Sequence, residues 1–361
     1  MARAAHFFLS ANGGDGYQTL REQITEDRSF YDLMILKGGP GGGKSTFLRL
    51  VGEAMEGADT PVEYLHCAGD PDSLDGVLLP ELRCALLDGT APHPAEPPYP
   101  GAVGRWVDLG RFLDITAAKA AREEIIRLTD RGDAACIRAF HALKAARQVE
   151  LDGRAAACRT VDWRRLDRRV GGVIARELRK SGGEAGISRQ RFLGTITHRG
   201  YVWRTDTVKA LCPRLYELED SFGLAGPILR RMAAAAAERG WDTLLCPGPE
   251  DPSQPEHLLI PGLGLAFVTS RPELRWEGKP YRRLRLDAMV KPENKARLRF
   301  ETRMAHLLRQ EAVEALGEAK AAHDALESLC NPYVDFDGVR ALAAVESARL
   351  LCWMHRQRET A

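Results

Sequence analysis

Short apolar runs separated by glycine-rich turns alternate with amphipathic stretches in the first quarter of the chain. This pattern predicts a strand over Leu33–Gly39, a helix over Lys44–Glu56 and a second strand over Val62–Ala68. A short helix is predicted over Ser73–Leu82, followed by a third strand over Cys84–Gly89. Strands that alternate with helices predict an α/β fold, with a parallel sheet covered by helices on both faces.

After a proline-rich loop, the pattern becomes helical from about residue 117 to 180. We expect an αα-hairpin here, broken near residues 152–153. The second half of the chain repeats this plan, with helices predicted from about Lys291 to Cys330 and from Asp335 to Arg356. Each half is therefore expected to carry a helical-hairpin extension.

The chain contains an internal repeat. FFLSANGGDGY at Phe7–Tyr17 matches RFLGTITHRGY at Arg191–Tyr201, and LLPELRCALLDGTAP at Leu78–Pro92 matches LIPGLGLAFVTSRPE at Leu259–Glu273. VDW near the end of the first half matches VDF in the second, after similar helical stretches. The separation stays at about 180 residues, as expected for a tandem duplication. A linker is expected at Lys180–Gln190, which is rich in glycine and small polar residues.

A phosphate-binding pattern, G-x-x-x-x-G-K-S, lies at Gly38–Ser45 between an apolar strand and an amphipathic helix. Glycines let several backbone N–H groups point at phosphate oxygens, and the helix adds its positive N-terminal end. The Lys44 ammonium can reach the β- and γ-phosphates, and the Ser45 hydroxyl can bind Mg²⁺. The ligand predicted is ATP with Mg²⁺. The predicted binding residues are Gly38, Gly39, Pro40, Gly41, Gly42, Gly43, Lys44, Ser45 and Thr46.

A carboxylate at the end of a neighbouring strand would complete a magnesium site. Asp88 closes the apolar run ALLD and is predicted to bind the metal beside Ser45 and to act with Lys44 in catalysis. The alternative is an ordinary turn aspartate, because Gly89 and Thr90 follow.

Other polar residues follow the second strand, where ligands meet open α/β sheets. Asp70 and Asp75 are candidates to orient water or to bind an acceptor, and a plain loop role stays equally open. For Asp72 and Ser73 a cap of the next predicted helix is at least as good an interpretation. His66 is expected to be a hydrogen-bonded, half-buried histidine, and His93 an ordinary loop residue.

The second copy lacks the chemistry of the first. In the repeat alignment Gly226 and Pro227 replace Lys44 and Ser45, and Thr269 replaces Asp88. We therefore predict one nucleotide per chain. Residues 1–183 are expected to form a P-loop NTPase domain with its helical hairpin, and residues 184–361 a degenerate repeat of it.

Four segments of the chain resemble a family of duplicated bacterial P-loop ATPases, most of them hypothetical proteins. They are the P-loop, HCAGDPDSLDG at His66–Gly76 with the LLPEL that follows, LLDGTAPH at Leu86–His93 and PGAVGRWVDLG at Pro100–Gly110. The resemblance covers nearly the whole chain and is stronger in the first half. It implies ATP binding without a defined substrate, and normally a P-loop in both halves, from which this chain departs.

We expect a Mg-dependent ATPase, a nucleoside-triphosphate hydrolase, that acts as a switch between two halves. A small-molecule kinase for a nucleoside or metabolite and an ATP-binding module with little turnover are the alternatives. Hydrolysis by the isolated chain is expected to be slow, because Gly89 stands where many such enzymes have a water-orienting glutamate. An arginine finger could come from Arg230, Arg231 or Arg271, or from an unknown protein partner.

The composition and charge of the chain argue against several classes of protein. The 361 residues carry a net charge of +1, which gives no clear nucleic-acid signal, and no apolar stretch predicts a membrane span or signal peptide. The eight cysteines contain no CxxC pair, so a zinc ribbon is not expected. A cytoplasmic location is predicted.

Overall fold

The computed structural model of the chain describes residues 4–91, 94–271, 274–291 and 294–360, and His93 lies outside them. The chain forms two compact units. Unit 1 comprises Met1–Ser10, Thr19–Arg138 and Glu314–Ala361, and unit 2 comprises Ala11–Gln18 and Ala139–Val313.

Both units are built from strands and helices. The strands are β1 (Ala5–Phe8), β2 (Ser10–Gly13), β3 (Gly16–Thr19), β4 (Asp32–Lys37), β5 (Glu63–His66), β6 (Leu74–Leu79), β7 (Cys84–Asp88), β8 (Gly104–Asp108), β9 (Ser188–Gln190), β10 (Gly194–Thr197), β11 (Gly200–Trp203), β12 (Arg214–Glu219), β13 (Thr243–Pro247), β14 (Pro255–Ile260), β15 (Leu265–Ser270) and β16 (Arg282–Arg285). The α-helices are α1 (Glu22–Thr25), α2 (Lys44–Gly57), α3 (Ile115–Ala118), α4 (Arg122–Cys158), α5 (Trp163–Glu177), α6 (Thr205–Leu211), α7 (Ala225–Ala237), α8 (Lys295–Cys330) and α9 (Phe336–Thr360).

Unit 1 contains a six-stranded sheet with the order β1-β5-β6-β7-β4-β8. The strand–helix–strand order predicted around the P-loop is confirmed by β4, α2 and β5. The helix predicted over Ser73–Leu82 is wrong, because residues 74–79 form β6 and only Pro80–Leu82 make a 3-10 turn. All six residues of β6 are buried, so the alternation that marks a half-exposed strand is absent from the sequence.

The sheet is mixed, and the prediction of a parallel sheet is wrong for one strand. β4 pairs parallel with β7 and β8, and β1 with β5, whereas β6 is antiparallel to both β5 and β7. The reason is the length of the connections, because a parallel pairing needs a crossover of a dozen or more residues. The four-residue connection between β6 and β7 allows only an antiparallel pairing of these two strands.

Unit 2 repeats this topology in a second six-stranded sheet, ordered β16-β12-β15-β14-β13-β9. Its single antiparallel strand, β14, stands where β6 stands in the first sheet, between partners equivalent to β5 and β7. A second 3-10 turn, Pro261–Leu263, follows β14 as Pro80–Leu82 follows β6. Two α/β sheets with the same order and flanking helices are consistent with a duplicated domain.

The predicted break in the first helical hairpin is misplaced. α4 continues through residues 152–153 to Cys158, and Asp162 caps the next helix by accepting a hydrogen bond from the Arg165 N–H at 3.0 Å. Gly153 lies inside α4. A Cβ atom at this position would meet the side chains of Leu298 and Glu301 of α8, so close packing of the two helices favours glycine here. The helices predicted in the second half are confirmed by α8 and α9. Within the described ranges, no helix is both long and apolar enough to cross a membrane.

The two compact units do not coincide with the two halves of the sequence. α9, from the second half, packs in unit 1 against α2 through buried residues that include Val339, Ala343, Leu350 and Met354. Arg105 of β8 holds the same helix by an ion pair with Glu346 at 2.6 Å. α5, from the first half, packs in unit 2 against α7. The expected boundary at residues 183 and 184 therefore marks the sequence repeat and not the units.

We predict that Leu350→Ala lowers the free energy of unfolding by about 2–5 kcal/mol, because it leaves a cavity at a fully buried site between α9 and the first sheet. Amide exchange in α2 should accelerate at the same time. Val345→Ala, on the same helix with the side chain 63% exposed, serves as the control and should change stability by less than about 0.5 kcal/mol. Equal effects of the two substitutions would contradict this placement of α9.

Candidate phosphate-binding site

The loop between β4 and α2 has the backbone that a phosphate cradle requires. Gly41 and Gly43 have φ angles of 66° and 78°, in the left-handed region that favours glycine. The Gly42 N–H donates to the Gly39 carbonyl at 3.2 Å, which closes a turn inside the loop. Gly43 is the N-cap of α2 and offers no side chain to the first N–H groups of the helix. Those groups can therefore bind an external anion.

The same loop touches the C-terminal helices. A Cβ atom on Gly41 would lie 2.7 Å from the side-chain amide of Asn331, and one on Gly43 would lie 3.1 Å from Val339 Cγ1. With its amide nitrogen turned to the loop, Asn331 donates to the Gly41 carbonyl at 3.2 Å. Residues from the end of the sequence thus line the loop that the beginning of the sequence forms, which no local motif predicts.

Lys44 and Asp88 lie together at the end of the sheet. Lys44 Nζ donates to the carbonyls of Gly38 and Gly39 at 3.3 and 2.9 Å, and it lies 3.8 Å from Asp88 Oδ2. Asp88 Oδ1 accepts from the backbone N–H and the hydroxyl of Thr90, at 2.9 and 2.7 Å. Asp88 is thus a turn residue through one oxygen, while its other oxygen faces Lys44.

Ser45 begins α2 beside β6. Its Oγ accepts the Leu74 N–H at 3.0 Å, which leaves the hydroxyl proton and a lone pair for another contact. Across the described residues, no group of three His, Cys, Asp or Glu side chains is arranged to hold a metal ion. A magnesium ion bound with a nucleotide does not require such a group, because it keeps waters and takes phosphate oxygens alongside one or two protein ligands.

A buried charged cluster adjoins these residues. Arg21 is 5% exposed and donates through Nη1 to the Asp88 carbonyl, while Nε and Nη2 have no protein partner. Asp75 is 7% exposed, and its Oδ2 likewise has none. Pairing of Gly76 with Leu87 places Asp75 next to Asp88 on the neighbouring strand. Sequence reasoning missed Arg21, which belongs to no motif, and left Asp75 undecided.

The electrostatics of Asp75 follow from this position. Burial raises the pKa of its carboxyl to about 6, and the charge of Asp88 adds to the rise. Arg21, a hydrogen bond with the Cys67 thiol and the charge of Lys44 act in the opposite direction. Burial also raises the pKa of the Cys67 thiol well above its usual value, so the thiol stays protonated.

The remaining candidates take structural roles. Asp70 orders its own loop by accepting from the Asp72 N–H at 3.1 Å and the Ser73 hydroxyl at 3.0 Å, and it lies 3.6 Å from Lys320. Asp72 caps no helix, because a strand follows. His66 is hydrogen-bonded as predicted, with Nδ1 2.7 Å from the Pro71 carbonyl, and it is buried.

The equivalent loop of unit 2 is filled by its own side chain. Leu218 pairs with Thr269 as Leu36 pairs with Asp88, which confirms the register of the repeat alignment. In the loop before α7, the Asp220 carboxylate accepts the N–H groups of Phe222 at 3.1 Å and Ala225 at 2.7 Å. An internal carboxylate thus takes the donors that a phosphate would need.

The arginines considered as fingers all have partners within unit 2. Arg230 contacts Gln254 at 3.3 Å, and Arg231 contacts Asp167 at 3.1 Å. Arg271 forms a buried ion pair with Glu256 at 2.9 Å. Arg21, in unit 1, is the arginine that the structure brings to Asp88.

No protein-family model, curated protein or solved structure matches this chain. The resemblance to duplicated P-loop ATPases therefore rests on the motifs themselves and stays a prediction.

We predict that Asp75→Asn stabilises the nucleotide-free protein at neutral pH. The carboxyl titrates near pH 6 when folded and at its ordinary 3.8 when unfolded, so wild-type stability falls as the pH rises between these values. The variant should escape this loss, gaining up to about 3 kcal/mol at pH 7 and nothing near pH 4. Urea unfolding in EDTA between about pH 4 and pH 7 measures the difference in free energy of unfolding between the variant and the wild type. A pH-independent difference would contradict the assignment, and the exposed Glu81→Gln is the control.

Proposed function

We propose that the chain binds one ATP with Mg²⁺ at Gly38–Thr46 and hydrolyses it. The observation that carries the proposal is the loop itself, with two left-handed glycines between a buried strand and a helix without an N-terminal side-chain cap. Backbone N–H groups and the helix dipole favour a multiply charged anion at this place. Lys44 donates to the Gly38 and Gly39 carbonyls of the loop and can exchange these contacts for phosphate oxygens.

The magnesium ligands proposed are Ser45 and Asp88. The Ser45 hydroxyl keeps a free lone pair, and Asp88 Oδ2 faces the loop. Both are oxygen ligands of the kind that Mg²⁺ prefers, and a nucleotide supplies further oxygens. When bound, the ion would neutralise charge on the β- and γ-phosphates. The protein's own part is to hold the phosphates between Lys44 and the loop.

A switching ATPase is the form that the contacts favour. Asn331 and Val339, from the second half of the sequence, touch Gly41 and Gly43 of the loop. A loop that changes with its ligand would alter these contacts, and a ligand shifts an equilibrium by its differential contacts with two states. Kinase activity and nucleotide storage use the same loop and are distinguished by the fate of the γ-phosphoryl group.

We predict that Lys44→Ala weakens Mg-ATP binding by about 10- to 100-fold, because a charge-assisted hydrogen bond to phosphate is worth about 1.5–3 kcal/mol. Fluorescence titration with a labelled ATP measures the affinity, and circular dichroism checks the fold. Lys180→Ala, at an exposed lysine of unit 2, serves as the control and should bind as the wild type does. Unchanged affinity in folded Lys44→Ala protein would refute the site.

We predict a calorimetric stoichiometry of one ATP per chain, because Asp220 fills the loop of unit 2. At an ATP concentration of about ten times the wild-type Kd, the Lys44→Ala variant should bind only about 0.1–0.5 nucleotide per chain, as a 10- to 100-fold loss of affinity requires. A stoichiometry of two, or one tight site surviving in the variant, would place a nucleotide in the second copy and contradict the proposal.

A further inference from the structure

Two buried side chains beside the P-loop have polar atoms that no described residue satisfies. They are Arg21, through Nε and Nη2, and Asp75, through Oδ2. Native proteins pair nearly all buried polar groups, so unpaired ones of opposite charge that both lie beside Asp88 call for an external partner. Because Arg21 is 5% and Asp75 7% exposed, bulk water reaches neither freely.

Both side chains are held in place. The Arg21 N–H donates to Thr19 Oγ1 at 3.2 Å, and Nη1 is anchored on the Asp88 carbonyl. Asp75 lies in β6, which is paired on both sides with β5 and β7, and the Cys67 thiol hydrogen-bonds to its carboxylate. The unsatisfied atoms are therefore positioned by the sheet and its flanking turns, as a pre-organised site requires.

In the second copy, the acidic residue equivalent to Asp75 has protein partners for its carboxylate oxygens. The register of β14 with β15 places Glu256 where Asp75 stands. Glu256 is paired with Arg271 at 2.9 Å and accepts from the Tyr201 hydroxyl at 3.1 Å. Thr205 stands where Arg21 stands, since the Arg204 N–H bonds Leu193 as the Leu20 N–H bonds Leu9. The copy that lost the P-loop has closed its carboxylate with internal partners.

We propose that Arg21 and Asp75 are catalytic residues of the P-loop site, with Arg21 contacting the γ-phosphoryl oxygens and Asp75 the attacking nucleophile. This inference rests on the proposed ATP site. It supplies the two groups that the motif lacks, a carboxylate to replace the glutamate absent after Asp88 and an arginine supplied within the same chain.

The proposed hydrolysis is a displacement by water at the γ-phosphorus. The oxygen of a water molecule forms a bond to the γ-phosphorus while its proton passes to Asp75 Oδ2. The bond from that phosphorus to the β,γ-bridging oxygen breaks, and its electron pair leaves with ADP. Arg21 offsets the charge on the equatorial oxygens of the transferring group. A hydroxyl of an acceptor molecule would follow the same course and give a phosphoester.

Asp75→Asn and Arg21→Lys test the assignment in the full chain, with Glu81→Gln at the opposite end of β6 as the control. Release of phosphate from γ-labelled Mg-ATP is followed in single turnover, and ATP affinity is titrated separately. We expect Asp75→Asn to slow release by about 10²–10⁴-fold, and Arg21→Lys by about 10³-fold or more, because lysine lacks the guanidinium fork. Both variants should bind ATP within about threefold of the wild type, as expected for groups that act mainly in the transition state.

A second measurement does not depend on the rate. The wild type and Glu81→Gln should trap ADP in the presence of aluminium fluoride, which mimics the transferring phosphoryl group, and both site variants should fail to do so. Parallel reactions with and without a mixture of metabolite hydroxyls show whether the label ends in phosphate or in a phosphoester, and so identify the nucleophile.

The measurements distinguish a failure of the proposed function from a failure of the catalytic assignment. If the wild type binds no ATP, the proposed function is wrong. If it binds ATP but both variants turn over and trap ADP as Glu81→Gln does, only the catalytic assignment is overturned. A loss of ATP affinity as large as the loss of turnover would also overturn it, because the pair would then serve ground-state binding.

Discussion

Charge at the edge of the first sheet where β7 ends and β6 begins has to be compensated, and the rest of the site depends on how this is done. In unit 1, Asp75 and Asp88 lie side by side, with Arg21 and Lys44 as their cationic neighbours. The compensation is incomplete, because buried donors and an acceptor keep no protein partner. Such an arrangement costs stability in the absence of a ligand and can be completed by one that carries both negative charge and a hydrogen-bond donor.

Unit 2 solves the same problem internally. Asp220 satisfies the loop, Glu256 pairs with Arg271, and Arg309 is held between Glu150 and Glu250 at 2.8 and 3.0 Å. Each of these four carboxylates, Asp220, Glu256, Glu150 and Glu250, has a partner within the protein, which favours one rigid arrangement. The two copies thus share a topology and differ in whether the protein itself pairs these charged groups completely. Fold similarity alone would not separate them, since function depends on the site.

α9 comes from the second half of the sequence but packs in unit 1, and this brings residues of that half to the loop between β4 and α2. Because α9 packs on α2, and Asn331 and Val339 reach the loop glycines, the loop between β4 and α2 is surrounded by residues from both halves of the sequence. A glycine at position 41 or 43 is needed for two reasons at once. It permits the left-handed backbone, and it leaves room for the neighbouring helix. This dual use links the proposed nucleotide to the C-terminal helices.

The sequence alone determined the features that depend on local pattern. Glycine spacing and flanking hydrophobicity predicted the loop, β4 and α2. The repeat alignment correctly identified Thr269 as the equivalent of Asp88. Local pattern failed where context overrides it. The fully buried β6 shows no strand alternation, and Gly153 suggested a break that close packing of α8 on α4 explains instead.

Only the tertiary structure decided which distant residues share the site. Arg21 meets Asp88 across 67 residues, and Asn331, near the end of the sequence, meets Gly41 of the loop. These contacts are set by strand order and by which apolar face covers which sheet, and neither property is written in a window of neighbouring residues. An isolated arginine in a turn carries no signal of its own. It becomes a candidate catalytic group only when folding buries it beside the carboxylates.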